Sequence, residues 1–191
     1  DYKEEITYKN NIFNKQIKTV LCHKKEEELS LPIININSNE YLLLSFDDLD
    51  ADIKNYYYTL LHCNADWTSS DLMTSEYISG FTDEPITNYE FSFNTIQRYT
   101  HYSFTFPSVN ITPILSGNYV FKVFEEGGNT IFYKRFMILE TKLTIEAQVR
   151  RATLAEDRNT KHEIDLTIKH PNLVVADPFS DIKVHIKQNN K

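Results

Sequence analysis

No apolar run in these 191 residues approaches the ~20 needed to span a bilayer as a helix, and no basic segment followed by an apolar one stands at the N-terminus. A soluble chain is expected, without a membrane-spanning segment of its own and with any export signal already removed. Positive charge is also short. With 20 Lys and Arg against 27 Asp and Glu, the net charge is −7, so contact with a phosphate backbone would begin in repulsion, and nucleic acid is excluded as a partner. Only two cysteines occur, Cys22 and Cys63; they either pair in an oxidising compartment or remain two buried thiols.

Chemistry-bearing motifs are missing too. Neither G-x-S-x-G nor H-E-x-x-H is present, and His23, His62, His101, His162, His170 and His185 lack metal-ligand spacing. His62 and Cys63 are neighbours, so on a strand they point to opposite faces and cannot share an ion. The expectation is a protein that is no enzyme and uses no cofactor.

What is present is aromatic and alternating. Twelve Tyr and twelve Phe within 41% hydrophobic residues suffice for a globular core. Tyr89, Phe91 and Phe93 alternate with Glu90, Ser92 and Asn94, and Tyr102, Phe104 and Phe106 with Ser103 and Thr105, the period of half-buried strands. Tyr119, Phe121 and Val123 lead into Glu125-Glu126-Gly127-Gly128-Asn129, a hairpin turn before Ile131 to Leu139. Ile6 to Lys9, Ile17 to Cys22 and Pro32 to Ile36 add strands. Up to nine precede Glu140, and an immunoglobulin-like antiparallel β-sandwich over residues 1–140 is expected.

The densest stretch is YLLLSFDDLDADIKNYYYTLLHCNADW, Tyr41 to Trp67. Two apolar strands, Leu42 to Phe46 and Tyr56 to Cys63, flank Asp47, Asp48, Asp50 and Asp52, which must lie in water or against a cation. Asp48, Asp50 and Asp52 match the first three ligands of a calcium loop. The match then breaks, because Ile53 replaces the turn glycine and Thr59 the distal glutamate. A solvated acidic turn is the expectation.

Together with MTSEYISGFTDEPITNYEFSFNT, YTHYSFTFP, SGNYVFKVFEEGG and TIEAQVRRAT, this stretch resembles the type IX secretion system plug protein family of Bacteroidetes, roughly from Ile17 to Ile168. The resemblance implies an exported protein, longer than this chain, with an N-terminal immunoglobulin-like region. It further implies a periplasmic location at the outer membrane and an outer-membrane translocon protein as partner, whose pore is closed on the periplasmic side without any catalysis. No catalytic residues carry over.

Candidate contacts are the loops Asp47 to Asp52 and Thr68 to Phe81, with Tyr77 and Phe81, taken to share one sandwich end. Uncovered strand edges also invite intermolecular strand pairing. Tyr58, Trp67, Phe91, Phe104 and Phe121 are expected in the core. The rival is an envelope module binding carbohydrate or another ligand, with Trp67 and exposed tyrosines as its platform.

After Leu139 the strands alternate strictly: Leu143 to Val149, Ile164 to Ile168 and Ile182 to Ile186. A second β-sheet domain over residues 141–191 is expected, and its small apolar faces together with a turn-like Gln188-Asn189-Asn190-Lys191 point to a truncated chain or a proteolytic fragment. Arg150 and Arg151 are expected to face apart, with an ion pair to a nearby carboxylate.

Overall fold

A computed structural model describes residues 8–171, 173–184 and 186. In chain order the elements are β1 (Asn11–Ile12), β2 (Ile17–Lys24), β3 (Ile33–Asn35), β4 (Leu42–Asp48) and β5 (Tyr56–Cys63), then α1 (Thr74–Tyr77). There follow β6 (Ile78–Gly80), β7 (Asp83–Ile86), β8 (Asn88–Phe91), β9 (Thr100–Phe106), β10 (Ile111–Pro113), β11 (Gly117–Glu125) and β12 (Thr130–Leu139). The chain ends with β13 (Thr144–Arg151), β14 (His162–Lys169) and α2 (Pro178–Asp181). It divides into two compact units, residues 1–140 and 141–191.

The first unit is a sandwich of two sheets. One runs β2-β4-β9-β8; the other runs β1-β12-β11-β5-β7, with β3 also paired to β12. Taking β2, β4, β5, β7, β8, β9, β11 and β12 as strands A, B, C, C′, D, E, F and G gives an A-B-E-D sheet facing a G-F-C-C′ sheet, the immunoglobulin-like arrangement. All ladders are antiparallel except β3 on β12.

Period two places the inward residues. Leu42, Leu44 and Phe46 meet Tyr102 and Phe106 on one sheet, while Tyr56, Tyr58, Leu60, Tyr119, Phe121, Val123, Phe132, Phe136 and Ile138 line the other, all buried. The largest side chains of the core are aromatic. Phe121 and Phe136 stack at 4.1 Å, Tyr58 and Phe104 at 4.1 Å, and Phe46 and Tyr102 at 5.3 Å, geometries that add a little to the area they bury. Buried tyrosines need partners for their hydroxyls. Tyr119 Oη donates to Leu115 O at 2.7 Å, a tyrosine corner at the start of strand F.

The expected Gly127–Gly128 turn has positive φ at both residues, 105° and 91°. Of the strand expected over Ile6 to Lys9, residues up to 7 lie outside the described ones and Tyr8 and Lys9 are in no strand; the pairing found nearby is β1 with β12. The short turn within Ser69 to Ile78 is α1.

The second unit contains one antiparallel hairpin, β13 with β14. Ile145, Ala147 and Val149 stand opposite Ile168, Leu166 and Ile164, giving one apolar face. On the other face Arg150 bonds Asp165 at 2.7 Å and Glu163 at 3.2 Å. The third expected strand is absent among the described residues: Ile182 caps α2, which starts at Pro178 behind the N-cap Asp177. His185 and the Gln188 to Lys191 turn lie outside the described residues.

Candidate functional site

The alternation of β4 does not stop at Phe46. It carries Asp48 inward, opposite the buried Thr100, so this carboxylate is fully buried. Asp48 Oδ2 accepts from Tyr56 Oη at 2.8 Å and sits 2.9 Å from Lys54 Nζ, while Oδ1 accepts from Asp50 N. Asp50 pairs with the same ammonium and accepts from Gln16 Nε2 at 2.7 Å. These bonds hold the Asp50 carboxyl below its ordinary range. The Lys54 ammonium is raised: burial opposes its charge, but Asp50 and Asp48 outweigh the burial.

The cation this loop requires is therefore its own lysine. Asp47 is turned to His101, with Oδ1 2.7 Å from Nδ1. Asp52 caps Ile53 N with its side chain, and its carbonyl accepts from Thr100 Oγ1 and Tyr102 Oη. Among the described residues no three His, Cys, Asp or Glu gather as a metal site. As a surface for a partner the loop is reduced, because Asp48 is inaccessible and Asp47 is half-buried.

The two candidate loops lie at opposite ends of the sandwich, not at one. The single eight-residue strand β5 separates them, about 25 Å of extended chain. The aspartate loop meets the β11–β12 turn, where Asn55 Nδ2 donates to Glu126 Oε2 at 2.8 Å. The Thr68 to Phe81 loop instead packs under the tyrosine corner. Tyr77 is buried there, donating to Leu60 O and resting against Tyr119, because its ring fills the space beside the corner. Phe81 remains exposed.

Beside Tyr77, His62 stands between Ser70 Oγ, 2.9 Å from Nδ1, and the Tyr119 ring. Burial pushes its pKa down. Gly117, with φ 148°, leaves the space His62 occupies; a Cβ there would stand 2.6 Å from Nε2.

Of the residues expected in the core, Tyr58 and Phe121 are fully buried, and Phe104 packs against the cluster. Tyr58 Oη donates to Glu84 Oε2 at 2.5 Å, and Ser108 and Asn110 donate to the same carboxylate. Glu84 loses some charge stability to burial, yet these donors bring its pKa down.

Trp67 and Phe91 are not core residues. Trp67 is half-buried in a left-handed conformation, φ 70°, and its ring lies 4.3 Å from the Arg135 guanidinium. Arg135 reaches on to Tyr8 O. A stacked arginine covers one face of the ring. Phe91 is 56% exposed, because β8 is an edge strand whose inward side extends past the facing sheet.

Phe91 belongs instead to a cleft lined by Ala51, Phe91, Phe93, Ile96, Arg98 and Tyr99. Phe93 and Ile96 are almost wholly exposed, a concentration of apolar surface at one spot. Sequence reasoning assigned Phe91 and Phe93 to a half-buried strand and passed over Ile96. The available signal was an apolar pair set in the polar run Asn94, Thr95 and Gln97. The cysteines are both free and buried; burial pushes the Cys22 thiol up to about 12 and the Cys63 thiol up to about 11.

Strand order, tyrosine corner and aromatic core together define an immunoglobulin-like β-sandwich, and no helix among the described residues is long and apolar enough to cross a membrane. Residues 17–140, the sandwich from β2 to its end, match the type 9 secretion system plug protein 1st domain, and the chain belongs to that family. Four chains of solved structures match. One is the crystal structure of a hypothetical protein from Parabacteroides merdae, with a TM-score of 0.84 and 29% identity; the match covers 93% of this chain and 45% of that one. This chain thus spans less than half of that relative. No curated protein matches.

Proposed function

We propose that this chain is part of a non-enzymatic plug component of type IX secretion, which closes the periplasmic side of the outer-membrane translocon pore by surface complementarity. The family match over residues 17–140, the sandwich from β2 onwards, carries this reading. The structure is compatible with it, because the best-connected polar groups, Asp48, Lys54, Tyr56 and Glu84, spend their hydrogen bonds inside the fold, as befits a rigid scaffold presenting loops.

The test is deletion of the full-length gene. A leakier outer membrane towards large solutes, or impaired export of secreted cargo, is expected. Unchanged permeability together with unchanged export would remove the proposal. The rival carbohydrate-binding reading loses support at Trp67, whose ring is already stacked on Arg135.

A further inference from the structure

The sandwich has four sheet edges, and three of them are guarded. On the G-F-C-C′ sheet, β7 carries Pro85 within a strand of four residues, and the opposite edge of β12 is covered by the short β1 and β3. On the other sheet, β2 is broken by a register shift between Lys18 and Leu21, with Thr19 at φ 51°. Proline, bulges and very short strands are the means by which edges are kept from pairing with other chains. The fourth edge, β8, is as short as β7 but carries no proline and no register shift.

Its geometry is that of an open template. Ser92 N donates to Tyr99 O at 2.9 Å, and the β8–β9 register pairs Glu90 with His101 and Asn88 with Ser103. Antiparallel alternation therefore points the N–H and C=O groups of Tyr89 and Phe91 away from β9, towards the open side. Tyr89 and Phe91 lie on one face of this edge, their rings 5.8 Å apart. The strand runs straight into the cleft that Phe93 and Ile96 line together with the polar Ser92, Asn94 and Thr95. Arg98 borders that cleft, and among the described residues it has no carboxylate partner.

We infer that the β8 edge is a strand-addition site for an extended segment of another protein, with an apolar or aromatic side chain seated in the Phe91–Phe93–Ile96 cleft and a carboxylate paired with Arg98. The backbone groups of Tyr89 and Phe91 supply affinity, and the cleft with its cation supplies selectivity. In a chain of net charge −7, an arginine with no carboxylate partner among the described residues, beside this cleft, selects for an acidic partner segment against the overall field. The inference deepens the plug reading by naming the chemistry of the contact. It rests on that reading for the partner's place in secretion, but the edge is tested without the translocon.

The probe is a hexapeptide that alternates threonine with valine and phenylalanine and ends in aspartate, titrated into the 191-residue chain to ~1 mM. Slowed hydrogen exchange at the Tyr89 and Phe91 amides is expected, together with about tenfold weaker binding for Arg98→Glu and for Phe93→Asp. Both side chains are exposed, so the variants should melt like the parent. No protection of these amides, or binding that ignores both variants, overturns the inference. It is equally overturned if the same amides are protected without peptide as the chain dimerises. The plug reading fails separately, on the deletion strain.

Discussion

Tyr119 closes the turn that precedes it: its hydroxyl donates to Leu115 O, four residues upstream, at 2.7 Å, while its ring is fully buried between His62, Tyr77 and Phe136. One residue thus fixes both the entry of β11 and the packing of the Thr68 to Phe81 loop. Burial pushes its hydroxyl pKa up, so it donates throughout the ordinary pH range.

Tyr119→Phe keeps the ring and removes the bond. A loss of ~1 to 2 kcal/mol in unfolding free energy is expected, about one hydrogen bond plus an unsatisfied carbonyl. Urea denaturation measures it, and a variant as stable as the parent would show the corner to be ornamental.

Lys54→Met leaves Asp48 buried without its cation. Removing one partner of a buried pair costs ~3 to 5 kcal/mol, and because the Lys54 side chain is 25% exposed, the low end is expected. Adding Asp48→Asn should recover part of the loss. Calcium added to metal-stripped protein should leave the melting temperature unchanged, since Lys54 occupies the position of the ion; a clear rise would contradict this.

Glu40 accepts from Lys24 Nζ and from Asn35, which lowers its carboxyl from 4.5 to about 2. A depressed carboxylate stabilises the fold above its unfolded value, and this contribution fades as pH falls through the folded one. Stability should therefore decline between pH 4.5 and about 2. The pH profile of Glu40→Gln should be flatter in that window, and identical slopes would dismiss the linkage.

Trp67 sits at φ 70°, where a side chain is strained and glycine is not. Trp67→Ala should cost clearly less than the ~3 to 5 kcal/mol of a core aromatic. Trp67→Gly should be no worse than Trp67→Ala, reversing the usual order. Thermal melts of the two variants decide it.

For residues 141–191 we propose the opening of a second β domain, because the face formed by Ile145, Val149, Ile164 and Ile168 is apolar and two strands alone are marginal. In a chain extended beyond residue 191, the amides of β13 and β14 should exchange more slowly than in this one. Equal exchange would mean that the unit is already closed.

The two-sheet architecture was legible because its strands alternate with few interruptions and Gly127-Gly128 marks a turn. What escaped was set by neighbours rather than by pattern. Phe91 alternates as faithfully as Phe104, yet nothing in the facing sheet extends over it. Leu42 to Phe46 is apolar throughout, which hides its alternation; continuing Leu42, Leu44 and Phe46 one step places Asp48 inside. Loops on either side of one strand cannot share an end, so the separation of the candidate loops was available from β5 alone. The spacing Leu115-Ser116-Gly117-Asn118-Tyr119 also announces the tyrosine corner, a longer-range signal that alternation does not capture.

The parallel pairing of β3 with β12 has a mechanical consequence. Between the upstream end of Ile33 and the downstream end of Leu139, tension pulls the two strands lengthwise past each other, so their hydrogen bonds bear the load together. In an antiparallel hairpin such as β11–β12, pulling the open ends apart breaks bonds one at a time. The sandwich is thus braced against traction along its own chain, and single-molecule pulling should find a yield force that drops when β3 can no longer pair.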